Sequence, residues 1–244
     1  MSLPARDLRA GQSEMGREAV ILAGGLGTRL REVVGDLPKA MAPVNGKPFL
    51  HYVLRLLSGQ NFDRVILATG YKNDYISNYF GNAFGRMSLR YSVEREPMGT
   101  GGAMLLASSL ADNDYFFVIN GDTLFDVDMD GFQRSFLSEN ADLSVALKPM
   151  KNFDRYGSVS VDGQRIVSFN EKKYCREGLI SGGVYILRKE WLKLNAPGEK
   201  FSFEKNMMER LTRTSLISAF ISDSYFIDIG IPEDYSRASA EMLP

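Results

Sequence analysis

Cysteine and histidine each occur only once in the 244-residue sequence, as Cys175 and His51. A single cysteine excludes a disulfide framework within the chain and a cysteine-based zinc site. A single histidine excludes a metal site built from several histidines. A chain with so little cysteine suits a reducing compartment, so we expect a cytoplasmic protein.

Long apolar runs and an excess of one charge are also lacking. No run approaches the roughly 20 residues that cross a membrane, and the N-terminal stretch has no apolar core of a secretion signal. The 29 basic and 30 acidic residues give a net charge of −1, which excludes nucleic-acid binding by bulk electrostatics. We therefore expect neither a membrane nor nucleic acid as a partner, and any anionic ligand must meet a local cluster of cations.

The sequence is rich in short apolar runs that alternate with helical patterns. Residues 19–23 and 115–119 are apolar on both faces, as strands of a parallel sheet covered by helices require. From residue 141 onward the strands come closer together, at 142–148, 157–161 and 165–169, with Asp162-Gly163 as a tight hairpin turn. We expect a disordered tail over residues 1–17 and one domain over 18–244, with an α/β half (18–140) and a half of closely spaced strands (141–244).

A glycine-rich turn follows the first expected strand. Gly24, Gly25 and Gly27 lie where backbone N–H groups can approach phosphate oxygens, and Arg29 adds a guanidinium suited to a polyphosphate. The dinucleotide-binding and Walker patterns do not fit the glycine-rich segments of this sequence. An ordinary strand-to-helix turn is the alternative interpretation.

Several further motifs occur in a recognisable order along the chain. They are Pro38-Lys39, Gly46-Lys47-Pro48, Gly99-Thr100-Gly101-Gly102-Ala103, Gly121-Asp122, Glu171-Lys172, Gly182-Gly183-Val184-Tyr185 and Asp228-Ile229-Gly230-Ile231-Pro232. With the glycine turn, they make the chain resemble the sugar-phosphate nucleotidylyltransferases from residue 18 to about 235. The resemblance implies a Rossmann-like three-layer α/β/α nucleotidyltransferase fold. It has a mixed, mostly parallel central sheet, a nucleotide-binding half (18–140), and a sugar-binding half (141–244) that contains a small antiparallel subregion.

The resemblance also implies a role for individual residues. Arg29 and Lys39 would be catalytic and neutralise the departing pyrophosphate, and Asp122 and Asp228 would hold Mg²⁺, which prefers carboxylate and phosphate oxygens. The expected nucleotide-binding residues are Leu22, Ala23, Gly24, Gly25, Gly27, Thr28, Glu94, Gly99 and Thr100. The expected sugar-phosphate-binding residues are Gly121, Gly157, Glu171, Lys172 and Gly183. An Asx turn at Asp122 and an arginine partner for Asp228 are the alternatives.

Glu94 bears on the choice of base, and overall likeness to the family bears on the choice of sugar. Glu94 lies where relatives face the nucleobase, and a carboxylate can accept both donors of the guanine edge, which favours GTP. A surface charge at a strand end is the alternative for Glu94. Overall likeness favours D-glycero-D-manno-heptose 1-phosphate as the second substrate. Mannose 1-phosphate, or a uridylyl or thymidylyl transfer to another hexose 1-phosphate, stays open, and a homo-oligomer is compatible with the family.

Two hypotheses from other classes compete with this interpretation. Asp126-Val127-Asp128 has the Asp-x-Asp spacing that nucleotide-sugar glycosyltransferases use to hold a metal-diphosphate, although such short acidic motifs also arise by chance. A non-catalytic regulatory subunit could use the same scaffold. The presence of Arg29, Lys39 and both candidate metal carboxylates argues against the second hypothesis.

Overall fold

A computed structural model describes residues 16–25, 30 and 35–242. In chain order, its first strands are β1 (Arg17–Leu22), β2 (Pro43–Val44), β3 (Lys47–Pro48), β4 (Phe62–Thr69), β5 (Ala83–Phe84), β6 (Met87–Val93) and β7 (Tyr115–Asn120). They are followed by β8 (Thr123–Phe125), β9 (Leu143–Phe153), β10 (Gly157–Asp162), β11 (Arg165–Lys172), β12 (Cys175–Arg188), β13 (Ile217–Ile221) and β14 (Phe226–Asp228).

The α-helices are α1 (Phe49–Gly59), α2 (Asn73–Phe80), α3 (Gly99–Ser108), α4 (Met129–Ser138), α5 (Lys189–Asn195), α6 (Glu209–Leu211) and α7 (Pro232–Glu241). A 3₁₀ turn covers Lys39–Met41, and a π-helix over Phe203–Met208 leads directly into α6. Helix α7 begins with proline at its first turn, as expected, because proline has no N–H to leave unpaired there. Among the described residues, no helix is both long enough and apolar enough to span a membrane.

The central sheet has ten strands in the order β10-β11-β13-β9-β12-β7-β1-β4-β6-β5. Strands β7, β1, β4 and β6 pair in parallel, and β13 pairs in parallel with β9. The predicted mixed sheet is therefore confirmed, but its antiparallel share is larger than expected. The reason is β12, which runs antiparallel to both β7 and β9 and joins strands from the two sides of residue 140 in one sheet.

Helices cover both faces of this sheet. On one face, side chains such as Ile21 and Phe117 pack with α1, α4 and α7. On the other face, side chains such as Val20 and Val118 pack with α3, α5 and the 203–208 segment. Neighbouring residues of a strand point to opposite faces, so a buried strand must be apolar at every position. The predicted three-layer α/β/α arrangement follows from this pattern.

The N-terminal boundary differs from the expectation by one residue. Arg17 was assigned to the tail, yet it is the first residue of β1. Its backbone N–H donates to Asp63 at 2.9 Å, and its guanidinium donates to the Gln60 carbonyl at 2.7 Å and to Gln133 at 2.9 Å. These contacts anchor Arg17 at the amino end of β1. Of the rest of the expected tail, Gly16 is described, and residues 1–15 lie outside the described residues.

The second half contains longer strands than the apolar runs indicated. The motif Gly182-Gly183-Val184-Tyr185 lies in the later part of β12, whose earlier residues pair with β9 and briefly with β10. Arg176 and Glu177 are exposed, so this part of the strand has no apolar pattern to reveal it. The hairpin turn at Asp162-Gly163 is confirmed, and Gly163 adopts a φ of 57°, which glycine tolerates at little cost.

Candidate active site

The carboxyl ends of β1, β4, β6 and β7 meet at one edge of the sheet, where ligands of such folds bind. Backbone hydrogen bonds join the segments that leave these strands. The N–H of Ala23 donates to Ala68 at 2.8 Å, and the N–H of Gly121 donates to Leu22 at 3.0 Å. A Cβ on Gly121 would lie 2.7 Å from the Leu22 carbonyl, so glycine permits this approach.

The glycine turn is described only in part. Gly24 and Gly25 follow β1, and the Gly25 carbonyl accepts from the backbone N–H of Lys39 at 3.5 Å. This contact places Lys39 beside the expected phosphate loop. The expected roles of Gly27, Thr28 and Arg29 fall on residues that lie outside the described ranges.

The two expected metal carboxylates are brought together by a two-stranded ribbon. Asp122 links β7 to β8, and Asp228 ends β14, where it lies opposite Thr123 of β8. The N–H of Ile229 donates to the Asp122 carbonyl at 3.0 Å and fixes this register. Two residues from distant parts of the sequence therefore share one site.

Lys39 lies between these carboxylates. Its Nζ donates to Oδ2 of Asp122 and lies 3.8 Å from Oδ1 of Asp228. The Thr123 hydroxyl donates to the other Asp122 oxygen at 3.2 Å. Burial and the negative charge of Asp122 raise the pKa of the Asp228 carboxyl, and the Lys39 ammonium opposes that shift.

These residues fit a magnesium ion. Oδ1 of Asp228 is buried and has no hydrogen-bond partner among the described residues, so it is an anionic oxygen that a cation would satisfy. No group of three or more histidine, cysteine or acidic side chains suited to a metal is found in the described part of the chain. Mg²⁺ needs no such group, because it commonly binds through one or two carboxylates together with substrate phosphates. Asp228 also has a lysine where the alternative interpretation expected an arginine.

An arginine does lie nearby, in a group that sequence reasoning left without a role. Arg155 pairs with Asp234 of α7, and its guanidinium lies 3.3 Å from the Tyr156 hydroxyl. That hydroxyl donates to Oδ2 of Asp228 at 3.4 Å. Burial and the charge of Asp228 raise the pKa of Tyr156, which keeps its proton available for this contact. Gly157, which follows Tyr156 and is one of the expected sugar-phosphate-binding residues, is the signal in the sequence that lies nearest to this group.

Glu94 directly follows β6, and its side chain lies against glycines that follow β1 and β4. Its Oε2 accepts from the backbone N–H of Met98 at 3.0 Å. A Cβ on Gly24 would lie 2.8 Å from Oε1, and a Cβ on Gly70 would lie 2.7 Å from Cγ. Burial raises the pKa of this carboxyl, while the Met98 N–H lowers it. Two glycines thus make room for a carboxylate at the carboxyl edge of the sheet.

The expected nucleotide-binding residues at the start of α3, Gly99 and Thr100, also contact another segment of the chain. Gly99 has a φ of 74°, and a Cβ there would lie 2.5 Å from the Phe201 carbonyl. The Thr100 hydroxyl donates to Glu204 at 2.7 Å and accepts from the backbone N–H of Phe203 at 2.9 Å. These contacts hold the beginning of α3 against the 201–208 segment.

The expected sugar-side residues lie on neighbouring strands. Gly157 pairs with Lys172 across β10 and β11, next to the tyrosine that contacts Asp228. Glu171 and Lys172 are both exposed. Gly183 interrupts the register of β12 with a φ of 71°, and a Cβ there would lie 2.7 Å from the Asn120 side chain. Of these expected residues, Gly157 is the one that directly adjoins a contact to Asp228, through Tyr156.

The Asp-x-Asp motif precedes α4 and caps this helix. Oδ1 of Asp128 accepts from the backbone N–H of Gly131 at 3.0 Å and caps α4, and Val127 is fully buried. An N-cap satisfies a helix N–H group that would otherwise lack a partner. The motif therefore has a structural explanation, which weakens the glycosyltransferase hypothesis.

Comparison with known proteins decides the family. A family model described as nucleotidyl transferase matches residues 18–243. The chain belongs to the nucleotidyl transferase family. Within this family, it is 50% identical over 225 residues to D-glycero-alpha-D-manno-heptose 1-phosphate guanylyltransferase of Aneurinibacillus thermoaerophilus, covering 92% of this chain and 98% of that protein. It is 46% identical over 219 residues to the protein of the same name from Campylobacter jejuni, covering 89% and 96%.

Solved structures agree with this family. The crystal structure of HddC from Yersinia pseudotuberculosis superimposes with a TM-score of 0.84 at 40% identity and covers 92% of this chain and 99% of that one. A second structure of that protein is complexed with GMP-PN, with the same score and coverage. A UTP-bound UGPase from Acinetobacter baumannii, at 22% identity and a TM-score of 0.79, supports the fold alone. The expected nucleotidyltransferase fold and enzyme class are confirmed.

Proposed function

We propose that the chain joins GTP to D-glycero-α-D-manno-heptose 1-phosphate and releases pyrophosphate. The observation that carries the proposal is the convergence of Lys39, Asp122 and Asp228 at the carboxyl edge of the sheet. The naming of both substrates rests on the two relatives at 50% and 46% identity, which cover nearly the whole chain and carry this activity in their names.

The reaction brings two polyanions together, so charge neutralisation and positioning must supply most of the catalysis. The phosphate of the sugar substrate attacks the α-phosphorus of GTP, and pyrophosphate leaves with the electron pair of the broken bond. Lys39 would neutralise the β- and γ-phosphates of that leaving group. Arg29, from the expected phosphate loop, would act with it.

The nucleophile needs no protein base. A phosphate monoester has a second pKa of about 6 and is already largely a dianion near neutral pH. Lys172 would orient this dianion, and Glu171 and the backbone beside Gly157 and Gly183 would contact sugar hydroxyls. His51, the single histidine, lies on α1, where its ring contacts those of Tyr52 and of Phe84 from β5. It takes no part in the proposed reaction.

Asp122 and Asp228 would hold Mg²⁺, which when bound draws negative charge from the triphosphate oxygens and favours attack at phosphorus. The Thr123 hydroxyl orients Asp122, and the Tyr156 hydroxyl orients Asp228. Glu94 would accept from the guanine edge, since its Oε1 lies over Gly24 and Gly70 with no Cβ in the way.

A substrate panel tests the proposal. Pyrophosphate release is measured for GTP, UTP, dTTP, CTP and ATP, each combined with the heptose, mannose and glucose 1-phosphates. GTP with the heptose phosphate should give the highest kcat/KM. Mannose 1-phosphate is the relevant competitor, because a Mycobacterium tuberculosis mannose-1-phosphate guanylyltransferase is 32% identical over 232 residues. A higher kcat/KM for another pair contradicts the proposal. Cytoplasmic location and homo-oligomer formation stay predictions.

A further inference from the structure

Lys39 lies where a bound cation would be expected. Its ammonium contacts Asp122 and lies 3.8 Å from Asp228, so one positive charge serves two carboxylates. Only 16% of the Lys39 side chain is exposed, which limits how far water can screen these interactions. In this arrangement the lysine is the counter-ion of the pair.

The pairing is incomplete at Asp228. Oδ1 of this residue is buried and accepts no hydrogen bond within the described residues, and Nζ of Lys39 is too far away to supply one. A small divalent ion could approach both carboxylates more closely than an ammonium on a side chain. The ion and the lysine ammonium are both positive and would repel each other at this distance, so they compete for the two carboxylates.

The ammonium of Lys39 can move away from the two carboxylates. It begins a single 3₁₀ turn directly after Pro38, and its ammonium sits on a flexible four-carbon stem. Its backbone N–H contacts the Gly25 carbonyl, so the residue adjoins the expected phosphate loop. A nucleoside triphosphate bound in that loop would offer the ammonium new anionic partners and free the carboxylates.

We propose that Lys39 acts as an internal cation that holds Asp122 and Asp228 until a nucleotide binds, so that nucleotide and divalent metal bind with positive coupling through this lysine. The inference rests on the proposed assignment of the two carboxylates to the metal. Coupling of this kind is reciprocal: the metal strengthens nucleotide binding by the same factor by which the nucleotide strengthens metal binding.

The test measures Mn²⁺ binding to the whole protein by electron paramagnetic resonance. The affinity is measured with and without a non-hydrolysable GTP analogue. Mn²⁺ prefers the same oxygen ligands as Mg²⁺. Without nucleotide, Lys39→Met should bind Mn²⁺ roughly 5- to 150-fold more tightly than the wild type. The tightening caused by the nucleotide should be smaller in the variant. An unchanged or weaker affinity of nucleotide-free Lys39→Met overturns the inference.

Two further variants separate this effect from others. Lys151→Met removes the same charge from an exposed ion pair with Glu177 and should bind Mn²⁺ as the wild type does. If it gains as much affinity as Lys39→Met, net charge explains the result and the inference fails. The double variant Lys39→Met/Asp122→Asn should lose the gained affinity, and retention places the ion elsewhere. Lys39→Gln replaces Lys39→Met where the latter does not fold.

These outcomes are distinct from a failure of the proposed substrates. The comparison without nucleotide needs neither GTP nor a sugar phosphate, so a different base or sugar preference leaves it intact. Wrong substrates would appear in the substrate panel, whereas a wrong role for Lys39 appears in Mn²⁺ binding to the free protein.

Discussion

Asp228 lies opposite Thr123 in the antiparallel pair of β14 and β8, and this register sets its carboxylate beside that of Asp122. The pair forms a sheet separate from the ten-stranded one, so the arrangement of the two carboxylates depends on a ribbon of three residues from each strand. The Ile229 N–H that donates to the Asp122 carbonyl closes the ribbon at the site.

Asp122→Asn is expected to keep the fold and to lower Mg²⁺-dependent turnover on the order of a hundredfold or more, because a neutral amide oxygen replaces an anionic ligand. Steady-state pyrophosphate release at several Mg²⁺ concentrations measures the effect. Asp126→Asn, at an exposed acid just after β8, serves as the control. Wild-type rates for Asp122→Asn would remove this residue from the metal site.

Lys172→Ala should raise the KM for the sugar phosphate roughly tenfold or more while leaving the KM for GTP nearly unchanged, since it would remove a contact to one substrate only. Lys173→Ala changes the adjacent exposed lysine and controls for charge at the end of β11. Initial rates with each substrate varied in turn measure both constants. Equal rises in the two constants would place Lys172 away from the sugar phosphate.

Glu94→Gln should lower the ratio of kcat/KM for GTP to that for UTP, because one amide oxygen cannot accept both guanine donors. Such a mismatch costs on the order of 1 to 3 kcal/mol, or roughly 5- to 150-fold in the ratio. Glu96→Gln, at an exposed acid that pairs with Lys200 at 2.7 Å, is the matched control. If the ratio stays the same in Glu94→Gln, Glu94 does not read the base.

Gly70→Ala should disturb base selection without touching a substrate. The new Cβ would lie 2.7 Å from Glu94 Cγ and 2.9 Å from its Oε1, so the carboxylate must move. A displacement of this size can cost about a hundredfold at a reacting site, and a loss of roughly tenfold in kcat/KM for GTP is expected. Gly59→Ala, where a Cβ would meet no atom within 4 Å, should keep the wild-type value. Wild-type selectivity in Gly70→Ala would show that Glu94 needs no such fixed position.

Asp128→Ala tests the Asp-x-Asp motif. Loss of the cap on α4 should lower the free energy of unfolding by about 0.5–2 kcal/mol and leave turnover intact. Chemical denaturation measures the first quantity and pyrophosphate release the second. Asp128→Ser, which can still cap the helix, should recover most of the stability. Loss of turnover at undiminished stability would revive a metal-binding role for this motif.

The parallel strands could be predicted because burial on both faces leaves a continuous apolar run, as in β7. The first part of β12 could not, because its exposed side chains leave only hydrogen bonding to define it. The short helix α5 was missed for a similar reason, since Trp191 and Leu192 alone are buried in it.

The residues of the site likewise divide into those that the sequence could indicate and those that it could not. Lys39, Asp122 and Asp228 were indicated by the motifs that carry the family resemblance, and the structure brings them together. Arg155 looked like an ordinary surface charge, because its partner Asp234 lies on α7, far away in the sequence, and local sequence does not encode their meeting. Glu204, which accepts from Thr100, was invisible for the same reason.

Strand β12 runs from one end of the sheet, where Leu179 pairs with β10, to the centre of the sheet, where Val184 pairs with β7. Two lobes joined by a linker can swing about a hinge, but a hydrogen-bonded strand shared by both sides resists such a motion. Entry of substrates and release of product are then left to movements of surface loops. A variant that stiffens a loop should slow turnover, whereas the spacing between the two halves should hardly change when substrates bind.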